Sequence, residues 1–183
     1  MVLIFKNYTI PTIVILPMER PNQNVINTLN ELVQINNDRI AGYHQASHET
    51  KDGDLEQLFT SMLNESVNFA ETLGAYIREM GGEPATGGTT GGHIHQAWLD
   101  FKTALTGNNR IGLLESCEFG DKSAIEAYIT ALKEEAIQQD EELKGVLFRQ
   151  QAAIESSLKI IQTLTPRTNS TQAEQAALKI QQQ

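Results

Sequence analysis

Apolar residues recur at three- and four-residue steps along most of this chain, the spacing of one face of an α-helix. Val25, Leu29, Leu32, Asn36, Ile40 and Tyr43 form the first stripe, which begins at Asn24 and ends around Thr50. Lys51-Asp52-Gly53-Asp54 reads as a turn, with Asp52 or Asp54 available to cap the next helix. Leu55, Leu58, Met62, Glu65, Phe69, Leu73, Ile77 and Met80 form the second stripe. It stops at Gly81-Gly82-Glu83-Pro84, a glycine C-cap with a proline shortly after. The Gly/Thr-rich segment Ala85 to Gly92 is long enough to cross the end of a helical bundle instead of closing a tight hairpin.

Ile94, Trp98, Phe101 and Leu105 start a third stripe, which Thr106-Gly107-Asn108-Asn109 interrupts. Ile111, Leu114, Cys117, Asp121, Ile125, Tyr128 and Leu132 resume it, so the third helix is expected to be broken near Gly107. The polar stretch Lys133 to Glu142 holds the turn into a fourth helix. That helix has Leu143, Leu147, Gln150, Ile154, Leu158 and Ile161 inside and ends near Thr165-Pro166. Four stripes, each ~30–40 Å long at 1.5 Å per residue, predict an all-α antiparallel four-helix bundle over 22–165 with a long crossover loop. Residues 1–21 are β-branched, apolar and cut by Pro11 and Pro17, an extended arm or a stretch upstream of a start at Met18. Residues 166–183 form a polar, Gln-rich tail.

Composition narrows the function classes. The 183 residues carry 14 Lys+Arg against 23 Asp+Glu, a net charge of −9 that disfavours nucleic acid as a partner. Neither apolar run of the arm reaches the ~20 uninterrupted residues of a membrane span, and the arm lacks the pattern of a secretory signal. A cytoplasmic, membrane-free protein is the expectation. The single Cys117 excludes a disulfide framework and a thiolate zinc site within one chain.

Each apolar stripe carries a polar residue near its middle: Asn36, Glu65, Asp121 and Gln150, with Gln151 beside it. An unpaired buried polar group costs about 1–3 kcal/mol, so four at similar depth must meet each other, a water or a metal. Inward carboxylates on facing helices are how di-iron and di-manganese bundles hold metal, with Glu-x-x-His on two of the helices. No Glu-x-x-His occurs here. One reading is a hydrogen-bonded polar layer that fixes helix register, with no cofactor; the other is a remodelled Fe or Mn site on Glu65 and Asp121.

Several stretches carry a resemblance to a known family. Leu29-Asn30-Glu31-Leu32-Val33-Gln34-Ile35-Asn36-Asn37-Asp38-Arg39-Ile40-Ala41-Gly42-Tyr43 resembles the opening of a bacterial ferritin-like four-helix-bundle family of unknown function. Gly81-Gly82-Glu83-Pro84, the run His95 to Asn108, and Cys117-Glu118-Phe119-Gly120-Asp121 follow in the same order as in that family. The resemblance implies a ferritin-like bundle without established enzymatic activity, and it admits a homodimer, since such bundles often pair through helix faces. More distantly the chain is similar to bacterioferritin- and rubrerythrin-type bundles. That looser alignment implies metal-ligand positions at Asn36, near Glu65 and Ser66, at Asp121, and near Gln150 and Gln151. The first-helix glutamate and both histidines are missing there, which argues against ferroxidase activity.

The remaining chemistry-bearing residues have plain roles. His44 and His48 stand i, i+4 on one face of the first helix, a spacing that can bind a transition metal, but they flank the apolar stripe. His93 and His95 are i, i+2 and would share a metal only on non-helical backbone. Cys117 falls on the buried stripe, where a thiol behaves as a small hydrophobe. Gly87-Gly88 and Gly91-Gly92 lack the phosphate-loop spacing and its lysine. The sequence therefore predicts no catalytic residue. Its first expectation is a non-enzymatic structural, stress-related or interaction module with an unidentified protein partner. The alternative is a metal-binding oxidoreductase or storage protein.

Overall fold

The structure, a computed structural model, describes residues 23–89 and 110–165. The expected arm, the tail, Trp98, Phe101, His93, His95 and the break near Gly107 lie outside them. Within them the chain is helical: α1 Gln23–Glu49, α2 Gly53–Glu79, α3 Arg110–Ala131, the single-turn α4 Glu135–Gln139 and α5 Glu141–Leu164. None of these helices is long and apolar enough to cross a membrane.

Local chemistry sets the boundaries. Gly81 ends α2 with φ at 79°, a conformation that costs glycine little, and Gly82 N–H donates back to the Ile77 carbonyl at 2.8 Å. Asp52 stands at the N-cap of α2 without a side-chain cap, because its carboxylate is paired with Arg110 at the start of α3. Asp140 does cap α5, accepting from the N–H groups of Glu142 at 3.1 Å and Leu143 at 2.9 Å. The polar stretch before it is more than a turn. It holds α4, anchored by the fully buried Ile137.

Side-chain contacts give the helix directions. Cross-pairs Arg39–Ser66 and Tyr43–Phe59, Asn36–Tyr128 and Tyr43–Asp121, Tyr128–Gln150 and Glu118–Gln162, and Glu65–Ser157 and Phe69–Gln150 all run with one number rising as the other falls. Neighbouring helices are therefore antiparallel: α1 with α2 and α3, and α5 with α2 and α3. It follows that α2 and α3 run the same way. The described part of the segment between them runs alongside α1. Asn30 donates to the Glu83 carbonyl at 3.1 Å and accepts from Ala85 N–H at 2.7 Å, while Asn37 donates to the Gly87 carbonyl at 2.9 Å. Asp38 accepts from the backbone N–H of Thr89 at 3.1 Å and from its hydroxyl.

The apolar interior comes in two pieces. One gathers Leu29, Leu32, Leu73, Tyr128, Ile137, Leu147 and Ile154; the other Tyr43, Phe59, Met62, Leu114, Cys117 and Ile161. Each of these large side chains contributes about 1.5–3 kcal/mol by leaving water. The sequence stripes locate them to within one residue. Ile40, Leu58, Ile125 and Leu158 are only half-buried, while Arg39, Phe59, Ala124 and Ser157 take the interior.

Candidate functional site

Between the two apolar pieces lies a polar layer to which every long helix contributes. On α1 the change from one piece to the other falls at Asn36 and Arg39, on α2 at Ser66, on α3 at Asp121 and on α5 at Ser157. The central group is the Arg39 guanidinium, whose side chain is 3% exposed. Its Nε donates to Asp121 Oδ1 at 3.0 Å, Nη1 donates to Ser66 Oγ at 2.9 Å, and Nη2 lies 3.6 Å from Glu65 Oε1. Tyr43 OH donates to the same Asp121 oxygen at 2.8 Å, and the Arg39 guanidinium carbon lies 5.5 Å from the Tyr43 ring centroid.

A second string runs beside it. Asn36 Nδ2 donates to the Leu32 carbonyl and to Tyr128 OH, both at 2.8 Å, and Tyr128 OH donates to Gln150 Oε1 at 2.7 Å. Gln150 Nε2 reaches the Phe69 carbonyl at 3.5 Å, and Ser157 Oγ donates to Glu65 Oε1 at 3.4 Å. Three buried atoms of this layer have no hydrogen-bond partner: Asn36 Oδ1, Arg39 Nη2 and Asp121 Oδ2. Glu65, with its side chain 29% exposed, carries the layer to the surface.

Burial and charge oppose each other here. Burial raises the Asp121 carboxyl above its ordinary range, and the Arg39 charge with the donors from Tyr43 and Arg39 offsets part of that rise. Burial also works against the Arg39 charge, but Asp121, then Tyr43 and Glu65, hold the guanidinium above its ordinary value. Tyr43 and Cys117 are pushed well up by burial and by the Asp121 charge, so both keep their protons. Burial raises Tyr128 as well. A thiol held neutral this way is a poor nucleophile.

The sequence-derived residues divide accordingly. Asn36 and Gln150 are buried and joined through Tyr128, Asp121 is buried against Arg39 and Tyr43, and Glu65 stands at the edge of the layer. Gln151 points another way: half-buried, it donates to Glu155 one turn on at 2.8 Å, because one helical step rotates it about 100° from Gln150. His44 and His48 are exposed near the end of α1. Among the described residues, no group of three or more His, Cys, Asp and Glu stands close enough to hold a metal ion. Arg39, Ser66, Tyr43 and Tyr128 are the members that sequence reasoning missed as polar partners. The available signal was Asp121, a carboxylate on an apolar stripe that needs a cation.

Comparison with known proteins yields one match. No curated protein and no solved structure matches this chain. Residues 24–134 match a family described only as a domain of unknown function, so α1 to α3 and the segment between α2 and α3 fall inside the match and α5 beyond it. With more than half of its length matched, the chain belongs to the family described as domain of unknown function DUF2383.

Proposed function

We propose that this chain is a non-enzymatic helical bundle of the ferritin-like kind, acting as a structural or interaction module. In this reading a fixed guanidinium takes the central position that such bundles give to metal. The observation that carries it is Arg39, buried between Asp121 and Glu65 at 3.0 and 3.6 Å. The same-way course of α2 and α3, with residues 83–89 lying against α1 from Asn30 to Asp38, supports the ferritin-like arrangement. Asn36 and Gln150 are amides committed to hydrogen bonds, and Glu65 and Asp121 face a permanent cation. A di-iron or di-manganese pair would have to displace that cation or share its carboxylates, and among the described residues no imidazole joins the layer to compensate. These residues do not fit such a centre. The layer serves helix register and docking.

Elemental mass spectrometry on untagged protein, purified without chelator, tests this beside a Glu65→Ala/Asp121→Ala variant. Iron and manganese near zero in both are expected. Near-stoichiometric iron or manganese in the wild type, lost in the variant, would overturn the reading in favour of a metal-dependent oxidoreductase or storage protein.

A further inference from the structure

We propose that His44 and His48 form a two-imidazole site for a borderline divalent transition metal, copper(II) foremost, at the C-terminal end of α1. The inference is independent of the polar layer, since both histidines are exposed.

Four features support it. The i, i+4 spacing puts both side chains on one helix face, one turn apart. The rings already lie side by side, with centroids 4.4 Å apart and planes 29° from parallel, so chelation asks for side-chain rotation and no change of backbone. His48 Nδ1 lies 2.8 Å from the His44 carbonyl oxygen. A carbonyl oxygen only accepts, so Nδ1 carries the hydrogen and the lone pair sits on Nε2. An imidazole whose far nitrogen is tied to a carbonyl is the state in which histidine ligates metal. The surroundings also favour a cation. His48 is in the last turn of α1, at the negative end of its dipole, and Glu49, Asp54 and Glu56 follow, with Lys51 between them and Asp52 already paired with Arg110.

No third His, Cys, Asp or Glu among the described residues completes the site, so water fills the remaining positions and the metal exchanges. For a two-nitrogen, water-filled site the affinity order of divalent ions puts copper(II) first.

The test titrates metal-free full-length protein with copper(II) sulfate, read by calorimetry and by electron paramagnetic resonance. One copper per chain with splitting from two imidazole nitrogens is expected. Affinity should fall at least ~10-fold in His44→Ala and in His48→Ala, because either change removes the intramolecular second ligand. A His93→Ala/His95→Ala variant should bind as the wild type does, and circular-dichroism melts should show every variant folded. Undiminished binding in the His44→Ala/His48→Ala double variant would overturn the site, as would loss of binding in the His93/His95 variant. So would an effect from only one of the two single changes. Copper affinity at this surface pair leaves the metal content of Glu65 and Asp121 untouched, so its failure and a failure of the bundle reading are separately visible.

Discussion

At the scale of single residues, Arg39 decides how the interior works. A buried ion pair contributes little net stability, but removing one partner leaves an uncompensated charge and costs about 3–5 kcal/mol. Asp121→Ala and Arg39→Met should each destabilise by roughly that much in urea denaturation. The double variant should cost clearly less than the sum of the two, since it leaves neither charge alone. Additive losses in this cycle would mean that the 3.0 Å contact carries no coupling. Sequence periodicity located Asp121 but not its partner. Steps of three and four permit both Asn36-Ile40-Tyr43 and Asn36-Arg39-Tyr43, and hydrophobicity favours the isoleucine. The same ambiguity chose Leu58 over Phe59 and Glu65 over Ser66 on α2, where the true interior follows a seven-residue step through Phe59, Ser66 and Leu73. A polar network selects partners across helices, and a single helix face does not record that choice.

Among the elements, residues 83–89 are tied closely to α1. A Cβ on Gly88 would collide with the Asp38 carboxylate. Gly88→Ala should therefore lift Thr89 from Asp38, cost about 1–3 kcal/mol and speed hydrogen exchange over 83–89. In an Asp38→Ala background the same change should cost little, and an equal cost in both backgrounds would place the strain elsewhere. The glycine-rich composition marked this segment as a long connection in the sequence. Its course along α1 was not legible, because Asn30, Asn37 and Asp38 look like ordinary exposed positions of an amphipathic helix until the segment lies beside them. The helix ends were legible for local reasons: Gly81, Asp140 and the turn before Gly53 act within one or two residues of where they stand.

For the whole molecule, the buried acids link stability to alkaline pH. Cys117, Tyr43 and Tyr128 all hold their protons to higher pH folded than unfolded, where their ordinary values are 9.0 for the thiol and 10.0 for the phenols. The folded state thus binds more protons than the unfolded chain above those values, and stability falls as pH rises through them. Thermal melts should be level at neutral pH and decline from pH ~9 upward. Cys117→Ala should remove the earliest part of the decline, and native Cys117 should resist thiol reagents until the protein unfolds. A melting temperature flat to pH ~11 would contradict the burial of these groups. The division of labour across the polar layer has a further consequence. The α1–α2 hairpin supplies Arg39, and its principal counter-ion, Asp121, arrives only with the α3–α5 half. A slip of one helical turn, about 5.4 Å, would leave the buried Arg39 charge with only the partly exposed Glu65 carboxylate 3.6 Å away. Association of the two halves is thereby proofread: oily surfaces accept many alignments, but the guanidinium accepts one.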